Sequence, residues 1–203
     1  MPTDLHCERL EAVKQTLLDS GARRILDLGC GSGELLIRLL TEERFQEIVG
    51  VDTSLAALEA ARREIDKEHH SVDGRLKLIH GSYTECNERL RGYDAATLVE
   101  TIEHIEPTRL SAVESAVFRF CRPQTVVITT PNRDYNALHG GPDHRLRHRD
   151  HCFEWGRERF EGWANGLASR NGYAVSFRGI GPYHPCFGAP TQMATFHGRG
   201  TSG

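Results

Sequence analysis

The chain has 203 residues, of which 38% are hydrophobic and 26% are charged. This length suffices for one α/β domain with a sizeable core and is too short for two such domains with a linker, so a single domain over residues 1–203 is expected. The formal net charge of −3 excludes a global basic field. A nucleic-acid partner would therefore need a locally positive surface.

The six cysteines indicate a reducing compartment. They are scattered, form no C-x-x-C pair and follow no secretory leader, as is typical of reduced thiols. Residues 1–10 lack the apolar centre of a signal peptide, and no run approaches the roughly 20 apolar residues that span a bilayer. The protein is expected to be soluble and cytoplasmic, without a membrane partner.

Apolar runs alternate with helical patterns along the chain, which is typical of a parallel sheet covered by helices. Helical spacing covers residues 5–19, 33–40, 55–65, 109–120 and 157–170. Five strands are predicted at residues 24–28, 47–51, 76–80, 93–99 and 125–130. Two further strands, at 174–178 and 192–196, should close the sheet as an antiparallel edge, and the glycine-rich tail after His197 should fray.

This pattern predicts a doubly wound, mostly parallel α/β sheet of seven strands. Its ligands would bind outside the carboxyl ends of the strands, where the strand order reverses. The expected division is an amino-terminal helix, a ligand-binding core, a polar segment with the closing strands, and a tail, at residues 1–20, 21–130, 131–197 and 198–203.

A glycine turn follows the first strand and opens a helix. It carries Asp27, Gly29, Gly31 and Gly33. Glycine lets the backbone turn and approach a ligand closely. The third glycine comes one residue earlier than in the dinucleotide fingerprint G-x-G-x-x-G, and an acid precedes the turn. Asp27 therefore suits a ligand that bears an ammonium group, and the alternative is a tight turn without a ligand.

Two further strand ends complete the cofactor pocket. Asp52 follows the glycines by about 20 residues, where a carboxylate can accept hydrogen bonds from both ribose hydroxyls. Considered alone, an aspartate at the end of a strand could equally be a cap of the following helix. Ser82 and Tyr83 follow the third strand and would border an adenine. Residues 24–130 resemble the class I S-adenosylmethionine-dependent methyltransferases, which implies a Rossmann-like fold, S-adenosylmethionine as cofactor and S-adenosylhomocysteine as product.

Glu100, Glu103 and His104 follow the fourth strand. At positions i, i+3 and i+4 of a helix they would be surface neighbours and could converge on one ion. The ordinary alternative is a solvated helix face. A fourth ligand is expected from the histidine-rich run over residues 143–155, across the substrate cleft.

Three motifs together resemble the RNA 3′-terminal 2′-O-methyltransferases of the HUA ENHANCER type. They are Glu-x-x-Glu-His at residues 100–104, Thr-Pro-Asn at 130–132, and Arg-x-x-Asp-His-x-Phe-Glu-Trp at 147–155. The resemblance covers residues 10–196, the catalytic part of longer members that carry further domains. It implies that Glu100, Glu103, His104 and His151 bind a divalent cation, Mn²⁺ or Mg²⁺, which holds the 2′ and 3′ hydroxyls of the last nucleotide. His148 is the fallback for His151.

The implied reaction is methylation of the terminal 2′ hydroxyl, which protects the RNA end. The partner would be RNA with free 2′ and 3′ hydroxyls, delivered with or without an RNA-processing or repair partner on another domain or chain. DNA lacks the acceptor. Imidazole ligands suit Mn²⁺ better than an all-oxygen site does, so Mn²⁺ should be at least as effective as Mg²⁺.

The segment between Arg133 and Arg159 contains six arginines and four histidines against five acids. At least one of the arginines at 145, 147, 149, 157 and 159 is expected to contact phosphate. The aromatic residues Phe153, Trp155 and Trp163 are expected to pack in the core. Two rival functions stay open: a metal-dependent O-methyltransferase of a small catechol-like diol, and a catalytically silent methyltransferase-like binding module.

Overall fold

A computed structural model of the chain describes residues 4–68, 74–139 and 146–199. Seven strands form one sheet in the order β3-β2-β1-β4-β5-β7-β6. Strands β1 to β5 run parallel to one another, and the strand order reverses between β1 and β4. The strands are β1 (Arg24–Leu28), β2 (Glu47–Asp52), β3 (Leu76–His80), β4 (Ala95–Val99), β5 (Thr125–Pro131), β6 (Tyr173–Ile180) and β7 (Thr191–Gly198). The predicted doubly wound sheet of seven strands is confirmed.

The closing strands are longer than predicted. Strand β7 is antiparallel to β5 on one side and to β6 on the other. The antiparallel strand thus lies inside the sheet, and β6 forms the edge. Because β7 continues to Gly198 and Arg199 N donates to Gly172 O at 3.1 Å, the ordered chain extends past His197. Of the predicted tail, residues 200–203 lie outside the described residues.

Five α-helices cover the sheet, and none of the helices in the described ranges is long and apolar enough to cross a membrane. They are α1 (Asp4–Asp19), α2 (Glu34–Leu40), α3 (Leu55–Glu68), α4 (Leu110–Val113) and α5 (Arg157–Asn171). The helix predicted over 109–120 is only partly α-helical, because α4 passes into a π-helix, Glu114–Cys121. Glu114 begins this wider stretch and accepts hydrogen bonds from Arg170 at 2.9 Å and Asn171 at 3.0 Å.

Hydrophobic side chains on the two faces of the sheet form two clusters. In β1, Leu26 and Leu28 belong to the cluster beneath α5, whereas Ile25 belongs to the cluster beneath α1 and α2. Successive side chains of a strand point to opposite faces, so a strand covered on both sides reads as a continuous apolar run. Val13 and Leu17 of α1 are fully buried in the second cluster. This packing brings α1 beside the carboxyl end of β1.

Candidate functional site

The glycine turn joins the ends of β1 and β2. Gly29 N and Cys30 N donate to Val51 O at 2.8 and 3.1 Å. Gly29, Gly31 and Gly33 all have positive φ, at 81°, 53° and 83°. At Gly29 a Cβ atom would lie 2.5 Å from Thr101 Cγ2, whereas at Gly31 it would meet no described atom within 4 Å. Glycine is thus required at Gly29 by a close approach and at Gly31 by the backbone conformation.

Asp52 ties the end of β2 to this turn. Its Oδ2 accepts a hydrogen bond from Gly31 N at 2.9 Å, and its Oδ1 accepts one from Ser54 N at 2.8 Å. The second contact is a turn before α3 and not a helix cap, because the cap is Ser54, whose Oγ accepts from Ala57 N at 3.2 Å. Each carboxylate oxygen keeps a further lone pair for a ligand.

Asp27 lies at the bottom of a cavity of about 170 Å³ beside the turn. Its carboxylate is 2% exposed and accepts a hydrogen bond from Thr97 Oγ1 at 2.8 Å. Burial raises the pKa of Asp27 to about 7, and the Thr97 bond opposes the shift. The mouth of the cavity includes His6 of α1 and Glu34 of α2, whose Nε2 and Oε2 atoms lie 2.6 Å apart. Sequence reasoning missed both, because no local pattern shows where α1 packs.

Ser82 and Tyr83 follow β3 on the same edge. Ser82 Oγ accepts a hydrogen bond from Thr84 N at 3.1 Å. The Tyr83 hydroxyl donates to Thr101 O at 3.4 Å, and its ring lies 3.4 Å from where a Gly29 Cβ would stand. Burial raises the pKa of Tyr83 to about 12. Tyr83 therefore links the glycine turn to the turn that follows β4.

The α-helical geometry expected for residues 100–104 is wrong. Glu100 has a φ of 50°, which turns the chain sharply at the end of β4. A single 3-10 turn, Ile102–His104, then follows. Glu100 N donates to Thr129 O at 3.1 Å, so this residue still belongs to the pairing of β4 with β5. The reversal nevertheless brings Glu103 and His104 towards His151, and ligand atoms of these three residues lie within 4.8 Å of one another.

Glu103 is fully buried, and its two oxygens differ. Oε2 accepts a hydrogen bond from Thr130 Oγ1 at 3.1 Å, whereas Oε1 has no hydrogen-bond partner among the described residues. Burial, together with the negative charge of Glu100, raises the pKa of Glu103 well above its ordinary value. A buried carboxylate oxygen without a donor is costly unless a cation pairs with it. The residues present therefore fit a divalent cation.

Each of the two imidazoles has its Nδ1 atom beside an oxygen acceptor. His104 Nδ1 lies 3.1 Å from Asp150 O, and because a carbonyl only accepts, Nδ1 carries the proton. His151 Nδ1 lies 2.7 Å from Glu154 Oε1. Burial lowers the pKa of His151, which favours neutral imidazole, although Glu154 opposes this shift. Metal-binding histidines in proteins usually donate their second ring N–H to such an acceptor.

The histidine segment is fastened to the Ile102–His104 turn through the backbone. Cys152 N donates to Glu103 O at 2.7 Å. The rings of His104 and His151 have centroids 4.9 Å apart and meet edge to face. His148 lies farther along, with its ring centroid 5.5 Å from that of His151, and it is outside the three-residue group.

Glu100 lies beside this group without joining it. Its Oε2 is 3.2 Å from Arg9 Nη2, and its Oε1 accepts from Thr129 Oγ1 at 3.0 Å. Burial raises the pKa of Glu100, and the positive charge of Arg9 opposes the shift. Arg9 is a third site residue that sequence reasoning missed, after His6 and Glu34. Arg9 Nη2 also donates a hydrogen bond to Thr191 Oγ1 at 3.1 Å.

The arginines of the basic segment differ in their surroundings. The Arg147 guanidinium donates to Asn132 O at 2.9 Å and to Pro190 O at 3.1 Å, so it is a structural group. Arg157 pairs with Asp134, and Arg159 lies over the Trp155 ring at 5.0 Å. Arg149 is exposed. Arg145, another predicted phosphate contact, lies outside the described residues.

The aromatic residues of this region pack as expected. Phe153 and Trp155 are buried in the main hydrophobic cluster, with ring centroids 4.3 Å apart. Trp163 is partly buried and packs against them. Because Phe153 and Trp155 follow His151 closely in the chain, their burial restrains the position of this segment.

Comparisons with known proteins support the fold and show the family. Residues 25–124 match the family described as a methyltransferase domain. The crystal structure of the methyltransferase domain of bacterial CtHen1 is 41% identical, covers 96% of this chain and 100% of that chain, and superposes with a TM-score of 0.86. The chain belongs to the Hen1 methyltransferase family.

The curated Hen1-type relatives are longer proteins. A small RNA 2'-O-methyltransferase of Rattus norvegicus is 34% identical over 87% of this chain and 46% of its own length. The protein of the same name from Arabidopsis thaliana is 33% identical over 86% of this chain and 20% of its own length. The chain thus spans less than half the length of either relative.

Proposed function

We propose that the chain transfers a methyl group from S-adenosylmethionine to the 2′ hydroxyl of the 3′-terminal nucleotide of RNA, in a metal-dependent reaction that protects the end. The observation that carries the proposal is the convergence of Glu103, His104 and His151, with one buried carboxylate oxygen lacking a donor, beside the glycine turn. The names of the two curated relatives support RNA as the substrate class.

The cofactor would lie along the glycine turn. Asp27, at the bottom of the cavity, would accept hydrogen bonds from the ammonium of the methionine part. Asp52 would bind the ribose hydroxyls through its remaining lone pairs, since it stands at the end of β2. Ser82 and Tyr83 would border the adenine. This order along the edge directs the methyl group towards the residues that follow β4.

Glu103, His104 and His151 would hold the cation, and Glu100 would complete the set from the Arg9 side. The cation would stabilise the negative charge that develops on the 2′ oxygen and fix the two vicinal hydroxyls. The residues themselves contribute orientation: Asp150 O and Glu154 fix the ring nitrogens of the two histidines, and Thr130 fixes one oxygen of Glu103. A terminal ribose with both hydroxyls free is the matching substrate, and DNA is excluded because it lacks the 2′ hydroxyl.

The donor set favours Mn²⁺ at least as much as Mg²⁺, because two of the groups are imidazoles. The delivery of a particular RNA would fall to a processing or repair partner on another domain or chain. Which RNA is delivered does not alter the chemistry at the terminal ribose.

The test is a methyl-transfer assay with three matched oligonucleotides that end in a ribose, a 2′-deoxyribose or a 3′ phosphate. We expect transfer to the first alone, and loss of transfer in excess EDTA with recovery on adding Mn²⁺. Full transfer in EDTA would contradict the metal requirement. Equal transfer to the 3′-phosphate end would contradict recognition of paired hydroxyls.

The site variants sharpen this test. His104→Ala should abolish transfer while leaving the affinity for S-adenosylhomocysteine within a few-fold of wild type. His80→Ala is the matched control, because His80 also lies on this edge and bonds Thr53 O at 3.0 Å but is outside the three-residue group. A large loss of cofactor affinity in the first variant would count against its assignment.

A further inference from the structure

The loop between β6 and β7, residues 181–190, leaves the sheet at the edge where the three-residue group lies. Thr191 pairs with Pro131 of β5 and with Ile180 of β6, so the ends of these strands form one row. Glu100 follows Val99, which pairs with Thr129 in the same region of β5. The loop therefore stands beside the RNA end required by the proposed function, on which this inference rests.

The loop is rigid. It contains three prolines, at 182, 185 and 190. His184 and Gly188 exchange two backbone hydrogen bonds, each of 2.7 Å, and the His184 ring stacks on Phe187 with centroids 4.8 Å apart. Proline and paired backbone groups reduce the conformations open to a loop, so a side chain on it is presented at a small entropic cost.

Side chains of the site segment hold the loop in position. Asn132 Nδ2 donates to Phe187 O and to Ala189 O, both at 2.8 Å. Arg147 donates to Pro190 O, and its backbone N–H donates to Glu154 Oε1 at 2.6 Å. Glu154 in turn holds His151. The loop and the histidine of the metal group are thus positioned by one connected set of hydrogen bonds.

Tyr183 projects from this loop and is 73% exposed, more than any other large hydrophobic side chain in the described ranges. A single exposed tyrosine is ordinary on a protein surface. This one differs because it is displayed by a constrained loop at the edge of the site, and a cationic side chain contacts the same loop. Arg157 donates to Cys186 O at 2.7 Å and also pairs with Asp134. Exposed aromatic rings beside cationic groups are typical of surfaces that bind unstacked nucleic-acid bases.

The spacing fits the last few nucleotides of a strand. Three strand positions separate β4 from β6. At about 4.8 Å for each strand, the loop lies roughly 14 Å along the edge from the metal group. A stacked strand rises about 3.4 Å per nucleotide, and an unstacked strand is more extended, so this distance corresponds to about four nucleotides at most.

We propose that Tyr183 stacks on a base of single-stranded RNA within about four nucleotides of the methylated end. Stacking needs an accessible base face, so the surface would select an unpaired 3′ segment over a blunt duplex. It would add affinity without reading sequence, because every base offers such a face.

The experiment measures the affinity of the chain for a short single-stranded oligonucleotide by fluorescence anisotropy, with saturating S-adenosylhomocysteine. We expect Tyr183→Ala to weaken binding about tenfold, a value within the range found for single base-aromatic stacks. Tyr183→Trp should retain binding. Leu55→Ala is the matched control, because Leu55 is also strongly exposed, at 59%, but begins α3 on the other side of the sheet.

A second series removes single bases from the last positions of the oligonucleotide. At one abasic position, the affinities of wild type and Tyr183→Ala should become equal, which identifies the stacked base. Equal affinities on intact RNA, or a tenfold loss that persists at every abasic position, would overturn the inference. Methyl transfer by the wild type is measured in parallel, so that failure of the proposed function is distinguished from failure of the Tyr183 proposal.

Discussion

The Nδ1 atom of His151 lies 2.7 Å from Oε1 of Glu154, whose side chain is fully buried. The same carboxylate accepts hydrogen bonds from Arg147 N at 2.6 Å and from Asn136 Nδ2 at 2.7 Å. Glu154 therefore has a fixed orientation, and it leaves Nε2 as the ring nitrogen of His151 that is available to a ligand. Under the proposed function, Glu154 is the positioning residue for His151.

Replacing Glu154 with glutamine should weaken Mn²⁺ binding by about 10- to 100-fold, the range typical of lost partners of metal-binding histidines. The cause is the loss of a charged acceptor at His151 Nδ1. Isothermal titration calorimetry measures the affinity directly. Glu161→Gln, on the exposed face of α5, is the control. Unchanged Mn²⁺ affinity in the first variant would refute the role.

Cofactor binding should depend on pH through Asp27. Its pKa of about 7 in the free protein is set by burial. The ammonium of the cofactor needs the ionised carboxylate, so affinity for S-adenosylhomocysteine should fall as the pH drops below about 7, approaching about tenfold per unit. Isothermal titration calorimetry at several pH values between about 5.5 and about 8 measures this affinity. Asp27→Asn should bind weakly with a flat profile.

The same group affects the stability of the ligand-free protein with the opposite sign. The folded pKa of about 7 lies above the ordinary value of 3.8. Between these values the unfolded chain loses the proton and the folded chain keeps it. Stability should therefore decrease as the pH rises through this window, and Asp27→Asn should remove that contribution. A larger pH dependence in the variant than in wild type would contradict it.

Arg9 should matter for stability because it compensates the charge of Glu100. The side chains of Arg9 and Glu100 are 11% and 21% exposed. Removing one partner of a buried ion pair typically costs about 3–5 kcal/mol, and we expect Arg9→Gln to cost about 3 kcal/mol in urea unfolding. Lys67→Gln, which removes an exposed pair with Glu64 on α3, should cost less than about 1 kcal/mol. Adding Glu100→Gln to Arg9→Gln should recover part of the loss.

Much of the fold was predictable from sequence because strands covered on both faces and amphipathic helices leave periodic patterns. The glycine turn, Asp52 and the residues after β4 were located at the correct edge for the same reason. The prediction of an α-helix at residues 100–104 was wrong, because a sequence pattern of five residues does not distinguish an α-helix from a 3-10 turn. The positive φ of Glu100 follows from strand pairing that is distant in sequence.

Arg9 and His6 were missed for a different reason. They lie on α1, whose apolar stripe shows that it packs but not against which strands. The partner of Arg9 is Glu100, which lies 91 residues farther along the chain. The partner of His6 is Glu34, which lies 28 residues farther along. Only the tertiary structure brings these pairs together.

Gly29 and Thr101 provide a separate prediction. A methyl group on Gly29 would meet Thr101 Cγ2 at 2.5 Å and occupy a φ of 81°, whereas Gly31→Ala suffers only the backbone strain. Gly29→Ala should therefore be more destabilising than Gly31→Ala, whose cost is about 1–2 kcal/mol. Thr101→Ser lacks the Cγ2 atom and should rescue part of the loss at Gly29. Chemical unfolding measures the stability of the wild type, of the two alanine variants and of the double variant that combines Gly29→Ala with Thr101→Ser. Equal losses of stability in the two alanine variants would refute the close approach.

The close approach of Gly29 to Thr101 means that the glycine turn and the group of Glu103, His104 and His151 share one wall, so the proposed donor and metal compartments would share it too. Tyr83 reinforces that wall from the third strand end. A substitution that enlarges one compartment must displace the boundary of the other. Attempts to adapt this scaffold to a bulkier methyl-donor analogue should therefore be scored for metal affinity from the first round, because the two properties will not evolve independently.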